Sequence, residues 1–168
     1  MSLKIDRKKD TRTARALTHN LADIPNGVTV SAADLVAGGI LPEGGYIGAD
    51  EAGLYHLIKT AKLTEDANAS ATSYKVAKGH HFKIGDFIAA DAGAKAYAIA
   101  SIDTNSDPTY DTITVGTTLG ASLKAGAALV QAKAEAAKAE FKFVPKAVLG
   151  DSYPVEALSN HLCAAVTH

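Results

Sequence analysis

The sequence predicts a mainly β protein: a small barrel or sandwich of short antiparallel strands with an extended basic N-terminal arm and little helix. Three apolar runs, at 87–88, 97–102 and 113–115, are each bounded by Gly, Asp, Asn or Pro, which are typical of tight turns between strands. Hydrophobic residues make up 47% of the chain but aromatic residues only 6%, and there is no Trp. Because much of the apolar fraction is Ala, we expect a thin core that gains stability from association with a partner.

Charge divides the chain into a basic arm, residues 1–20, and a β-rich domain, residues 21–168. The first 15 residues carry six basic and two acidic side chains, a local charge of +4; since the total is −1, the remainder carries −5. The near-neutral total argues against a general nucleic-acid-binding protein. Two interpretations of the arm stay open: it becomes ordered against an acidic partner, or it is a solvated terminus without one. The basic residues of the arm are Lys4, Arg7, Lys8, Lys9, Arg12 and Arg15.

Residues 21–45 favour turns and one short strand. Pro25-Asn26-Gly27 has strong turn chemistry, and the alternation in Val28-Thr29-Val30 is typical of a strand. Ser31 is placed to cap a brief helical turn that ends at Val36.

Residues 46–63 predict a β-hairpin, with its turn at 50–53 and a return strand from Leu54 to Ala61. Asp50 and Glu51 are adjacent carboxylates that we expect to be solvated in this turn. We interpret His56, on the return strand, as a hydrogen-bonded structural residue.

The central part predicts a loop at 64–73 and then three strands. In Ile84-Gly85-Asp86, Gly supplies an unusual backbone angle and Asp accepts hydrogen bonds from nearby N–H groups, which is typical of a tight turn that leads into a strand. Alternation predicts further strands at 95–103 and 110–115.

The last third is ambiguous. Residues 131–140 are rich in Ala, Lys and Glu and favour a helix locally, whereas 127–130 and 141–144 favour strands. A strand, a helical turn or flexible loop, and a second strand satisfy both patterns. After Lys146 we expect one or two terminal strands and a docked C-terminus.

Residue chemistry predicts no catalytic, cofactor or metal site. His80 and His81 are neighbours on an extended segment, so their side chains point to opposite faces and suit shared metal coordination poorly. A small hydrolase that uses these histidines and Asp86 is the least favoured function, because no motif has mechanistic spacing. The single cysteine, Cys163, is expected to pack as a small apolar residue.

Four segments of the sequence carry a resemblance to a known family. They are KGHHFKIGDFIAAD (78–91), AIASID (98–103), YDTITVGTTLGASLKAGAALVQA (110–132) and FVPKAVLGD (143–151). The chain resembles the capsid-decorating head-fibre proteins of tailed bacteriophages, most closely those carried by phages and prophages of gut Bacteroides-type bacteria. The likeness covers roughly residues 20–168 and consists of turn-and-strand patterns without an active-site motif.

The resemblance implies a β-rich domain bound to the outside of a phage head, usually as an oligomer and often as a trimer. The expected function is that of a non-enzymatic virion structural protein that cements or decorates capsomers. Its partners would be the major capsid protein and other copies of this chain, without nucleic acid or membrane, and the basic arm would dock on the capsid. The chain would be made in the host bacterial cytoplasm. It lacks a repetitive shaft, which favours a compact decoration protein over a fibre.

A host-surface or carbohydrate-binding adhesin displayed on the same particle is the alternative function. Such sites use exposed aromatic side chains on a platform, and the absence of Trp weakens this interpretation. The candidate residues are Tyr46, Tyr55, Tyr97, Tyr110 and Tyr153, with Tyr74 in addition.

Overall fold

The computed structural model describes Ile24 and residues 27–155, together with the backbone of His161–Ala164 and Val166–Thr167. The basic arm, residues 1–20, and the side chain of Cys163 lie outside the described residues. The described part contains fourteen strands and no α-helix, and thus no helix that could cross a membrane. The strands are β1 (Val28–Ser31), β2 (Ile40–Leu41), β3 (Tyr46–Ala49), β4 (Tyr55–Leu57), β5 (Thr60–Lys62), β6 (Ser73–Ala77), β7 (Phe87–Ala89), β8 (Ala96–Asp103), β9 (Tyr110–Val115), β10 (Ala128–Ala132), β11 (Ala147–Leu149), β12 (Tyr153–Pro154), β13 (His161–Ala164) and β14 (Val166–Thr167).

The predicted fold class is confirmed, since nearly all strand pairs are antiparallel and the three apolar runs lie in β7, β8 and β9. β9 keeps its predicted alternation throughout, with Asp111, Ile113 and Val115 buried and the residues between them half-buried. β8 loses its alternation because the pairing with β9 shifts between Ile99 and Ser101 at an irregularity in the register.

The first of two six-stranded sheets has the strand order β13-β1-β4-β3-β11-β14, in which only the β1–β4 pair is parallel. Strands β2 and β12 form a separate two-stranded antiparallel sheet. The two end strands of the first sheet, β13 and β14, are separated by a single residue along the chain. Because one residue spans only a few ångströms, β14 begins close to the end of β13, so these last strands connect the β1 side of the sheet to its β11 side. We call this sheet barrel A. Its docked last strands agree with the predicted C-terminus, although the structure has four strands after Lys146 rather than one or two.

The second sheet has the order β5-β10-β7-β8-β9-β6 and curls until its ends meet. An antiparallel bridge joins Leu63 to Val76, and the Thr64 N–H donates to the Lys75 carbonyl at 3.0 Å. We call this sheet barrel B. In the sequence it lies between β4 and β11, so it is an insertion in barrel A.

Each barrel has its own apolar core. Leu41, Ile47, Leu57 and Leu149 are among the buried residues of barrel A. Barrel B encloses a larger cluster, which includes Tyr74, Ile88, Ile99, Ile113 and Leu129.

A third, smaller cluster consists of four buried alanines on β7, β8, β10 and the following loop, namely Ala89, Ala96, Ala132 and Ala139. It agrees with the expected thin, Ala-rich packing.

The predicted return strand, 54–61, is wrong as a single strand. Residues 55–57 pair with β3 in barrel A, whereas residues 60–62 pair with β10 in barrel B. Leu57, Ile58 and Lys59 are all buried. The chain passes from one barrel to the other at this point, so both of its faces are covered.

Two predicted local structures are also absent. Ser31 ends β1 and is followed by a turn in which the Leu35 N–H donates to the Ala32 carbonyl, so no helical turn forms there. Residues 133–141 form neither a helix nor a free loop, because their backbone pairs with residues 93–96. The strand predicted at 141–144 is reduced to one bridge, between Ala132 and Phe141.

Substitution of Gly48 tests the packing of residues 143–144 against β3. A Cβ at Gly48 would collide with the carbonyl oxygen of Val144 and would lie 2.9 Å from Cβ of Phe143. We expect Gly48→Ala to lower the free energy of unfolding by about 1–3 kcal/mol, measured by urea denaturation. Gly116→Ala is the matched control, because a Cβ there meets nothing within 4 Å. Equal stability of the two variants would contradict this packing.

Candidate functional site

The contact between barrels A and B brings together most of the polar residues that the sequence singles out. The loop 36–40 of barrel A faces residues 79–83 of barrel B. His81 is buried between them: its Nδ1 accepts the Val36 N–H at 3.2 Å and its Nε2 lies 2.9 Å from the Ile40 carbonyl. These partners require a neutral ring with its proton on Nε2. Burial lowers the pKa of His81, although the Ile40 hydrogen bond opposes it.

His80 points away from His81, as the sequence predicts, and meets Asp111. Its Nδ1 is 3.3 Å from the Phe82 N–H, and its Nε2 is 3.3 Å from Asp111 Oδ2. That second distance is within ion-pair range, but its geometry does not make a hydrogen bond. Burial lowers the pKa of His80, and Asp111 partly opposes this effect. The Lys78 ammonium binds the other oxygen of Asp111 at 2.6 Å.

A cleft of about 330 Å³ opens beside this pair, between the two barrels. Gly38 and Gly39 line it from barrel A, and Phe82, Ile102 and Asp111 line it from barrel B. Nε2 of His80 is itself sealed from solvent. The histidine and the carboxylate therefore act together as part of the wall.

The Lys59 ammonium is buried where the chain crosses between the barrels. It donates to Asp86 Oδ2 at 2.7 Å, and the two side chains are 2% and 16% exposed. Asp86 also accepts the Lys83 N–H at 2.9 Å, as predicted for this turn, where Gly85 has a φ of 89°. The Gln131 amide nitrogen lies 3.4 Å from Asp86 Oδ1. Because every donor faces the same carboxylate, we interpret this group as structural.

His56 is a structural residue, as predicted, and it joins two carboxylates. Its Nδ1 lies 2.7 Å from Asp34 and its Nε2 lies 3.1 Å from Asp50. Its ring stacks on Phe143, with centroids 4.3 Å apart, and Lys142 lies 3.9 Å from Asp34.

The sequence predicts a solvated Asp50, but the structure gives this carboxylate several hydrogen-bond partners. Besides its contact with His56, it accepts hydrogen bonds from the N–H groups of Ala52 and Leu54. The hydrogen bond with His56 is the main cause that lowers the pKa of Asp50. Burial raises the pKa of Asp34, but the hydrogen bond from His56 and the charge of Lys142 outweigh burial and lower it.

A second cleft between the barrels is wholly apolar. It has a volume of about 320 Å³, and we call it the apolar groove. Tyr46, at its rim, is 56% exposed. The groove is lined by Tyr46, Ile58, Thr60, Ala128, Val130, Phe141 and Pro145.

The residues of the hydrolase hypothesis have different partners in the structure. Asp86 binds Lys59, whereas His80 and His81 bind Asp111 and the loop of barrel A. Among the described residues, no three His, Cys, Asp or Glu side chains are grouped so that they could hold a metal ion.

The candidate tyrosines differ in exposure. Tyr46 is exposed, Tyr74 is fully buried, and the other four are half-buried. The Tyr74 hydroxyl donates to the Ala71 carbonyl at 2.7 Å, which gives it a structural role.

Comparison of the chain with family models, with curated proteins and with solved structures finds no match.

The Lys59–Asp86 pair predicts an asymmetric response to substitution. Asp86→Asn leaves a buried ammonium without a carboxylate, and we expect it to cost about 3–5 kcal/mol of unfolding free energy. Lys59→Met keeps the apolar stem, and the carboxylate that remains is partly exposed, so its cost should be smaller. The double variant should lose less than the sum of the two.

Urea denaturation of the three variants measures these differences. Lys124→Met is the control, because its partner Asp66 is also exposed, and we expect a change within about 0.5 kcal/mol. Additive losses at Lys59 and Asp86 would show that the pair does not act as a unit.

The lowered pKa values of Asp34 and Asp50 predict a loss of stability in acid. The ordinary value is 3.8 for each, so these carboxylates stabilise the fold above about pH 4, and their contribution is lost as pH falls through the lower folded values. We expect Asp34→Asn to lower stability at neutral pH and to flatten its decline between about pH 5 and pH 2. The measurement is the urea midpoint as a function of pH.

Glu51→Gln, an exposed change in the same turn as Asp50, is the control for that pH series. An unchanged acid slope in Asp34→Asn would contradict the bridge through His56.

Proposed function

We propose that this chain is a non-enzymatic structural protein of a bacteriophage virion, which binds the outside of the capsid and cements or decorates its capsomers. The observation that carries the proposal is the resemblance of segments 78–91, 98–103, 110–132 and 143–151 to head-fibre decoration proteins. In the structure these segments form most of β7 to β11 and the turns between them, which is the framework of barrel B and its return to barrel A.

The distribution of charge supports docking through the arm. A local charge of +4 in the first 15 residues is followed by −5 in the remainder, so the arm and the body favour surfaces of opposite sign. An acidic capsid surface would attract the arm first. The same acidic surface would repel the acidic body of the protein. This repulsion stays small if the body contacts the capsid through a locally basic or apolar area.

The packing of the body supports stabilisation by assembly. Strands β7, β8 and β10 and the following loop pack together through alanine side chains, which are small. These are Ala89, Ala96, Ala132 and Ala139. Small side chains bury little apolar area each, so a partner surface adds proportionally more stability. We propose the major capsid protein as this partner and a homotrimer as the bound form, on the exterior of the virion. Sedimentation velocity at several protein concentrations measures the oligomeric state.

Co-sedimentation with purified phage heads tests capsid binding. We expect the full chain to pellet with assembled heads and not with free coat subunits. A variant in which Lys4, Arg7, Lys8, Lys9, Arg12 and Arg15 are replaced by Gln should bind about tenfold or more weakly and lose most of its salt dependence. This variant keeps the length of the arm, so any weaker binding reports the lost charge and not a shorter arm.

Two results would contradict the proposal in different ways. A full chain that stays in the supernatant with intact heads would overturn capsid binding. Full binding by the neutral arm, with unchanged salt dependence, would overturn the docking role of the arm alone.

A further inference from the structure

We propose that the apolar groove receives an apolar side chain from the capsid protein, presented by a segment that has carboxylates next to that side chain. This inference rests on the proposed function, because it names the partner chemistry at one surface of the same body. It concerns residues between the two barrels and does not depend on the arm.

The shape and lining of the groove indicate a single apolar anchor. Ile58 is buried at its base, where the chain crosses between the barrels, and Val130 and Phe141 contribute from barrel B and the following loop. No polar surface is exposed in its lining. An aliphatic or aromatic side chain placed there would lose contact with water, which favours binding.

Exposed aromatic surface at the rim favours a protein partner. Tyr46 offers a large ring that loses little conformational freedom on binding, and it is 56% exposed. Val144, which directly precedes the lining residue Pro145, is 69% exposed. Together they extend the apolar area beyond the groove itself, as at the anchor pockets of protein interfaces.

Charges around the groove select an acidic partner. Lys62 is opposite Ala128 in the β5–β10 register, and the exposed Lys146 adjoins Pro145 in the sequence, whereas Lys142 is engaged with Asp34. Glu140 is the one carboxylate in these flanking positions. Two lysines against one glutamate give a weakly basic rim on a body whose total charge outside the first 15 residues is −5. An apolar anchor flanked by Asp or Glu complements both the groove and the rim.

Site-specific photo-crosslinking on assembled heads tests this inference. Tyr46 is replaced by benzoylphenylalanine, the chain is bound to purified heads and irradiated, and the crosslinked coat peptide is identified by mass spectrometry. We expect a coat peptide with an apolar residue and at least one neighbouring carboxylate. The same replacement at Ile84, an exposed apolar residue outside the groove lining, is the matched control.

Affinity provides the second readout. We expect Tyr46→Ser, and separately Lys62→Glu with Lys146→Glu, to weaken binding to heads by about tenfold or more, while Ile84→Ser changes it little. All of these positions are on the surface, so circular dichroism and urea midpoints should match those of the unaltered chain.

The outcomes separate the two proposals. If the unaltered chain does not bind heads, both fail. If it binds but Tyr46 gives no crosslink, or if the groove variants bind as well as Ile84→Ser does, the capsid role stands and the groove inference fails. A crosslink from Tyr46 to a second copy of this chain, or to a basic coat segment, also overturns the inference.

Discussion

The buried Lys59–Asp86 ion pair is the interaction on which the arrangement of the two barrels depends. The chain leaves barrel A through Leu57, Ile58 and Lys59, which are covered on both sides, so a charged head group has to be neutralised inside the protein. Asp86 neutralises it from the turn that starts β7, and its backbone carbonyl also accepts the Ile99 N–H at 2.8 Å. Asp86 thereby contributes to two features, the entry into barrel B through its carboxylate and the central hairpin through its backbone carbonyl.

The rest of the contact between the barrels requires close approach of backbone and ring, and glycine permits it. A Cβ at Gly39 would lie 2.6 Å from the His81 ring, and one at Gly48 would collide with the Val144 carbonyl. His81 then hydrogen-bonds two backbone groups of the barrel A loop, the Val36 N–H and the Ile40 carbonyl. The contact therefore depends on three positions. His81 supplies the polar side chain, and glycine is needed at Gly39 and Gly48 because a Cβ would not fit there.

The sequence predicts strands well where their signals are local and poorly where long-range pairing decides. The alternation at 110–115 and the Gly85-Asp86 turn are local signals, and both are confirmed. Residues 131–140 favour a helix locally, but the N–H groups of Ala136 and Ala139 donate to carbonyls at Ala96 and Ala94 instead. The insertion of barrel B and the bridge through His56 depend on pairs that are far apart in the sequence, and no local pattern carries that information. The apolar groove was missed for the same reason, because its lining comes from four separate parts of the chain.

Two separated basic features on an acidic body make the proposed binding bivalent. The arm carries +4 at the start of the chain, and the rim of the apolar groove carries two lysines against one glutamate. If both contact the capsid, the arm, once bound, would hold the groove near its site at a high effective concentration, so two weak contacts would give strong attachment. A contact through each element to a different coat subunit would join those subunits, whereas two contacts to the same subunit would only decorate it. Whether the protein joins coat subunits or only decorates one of them therefore depends on the distance that the arm spans relative to the spacing of the subunits.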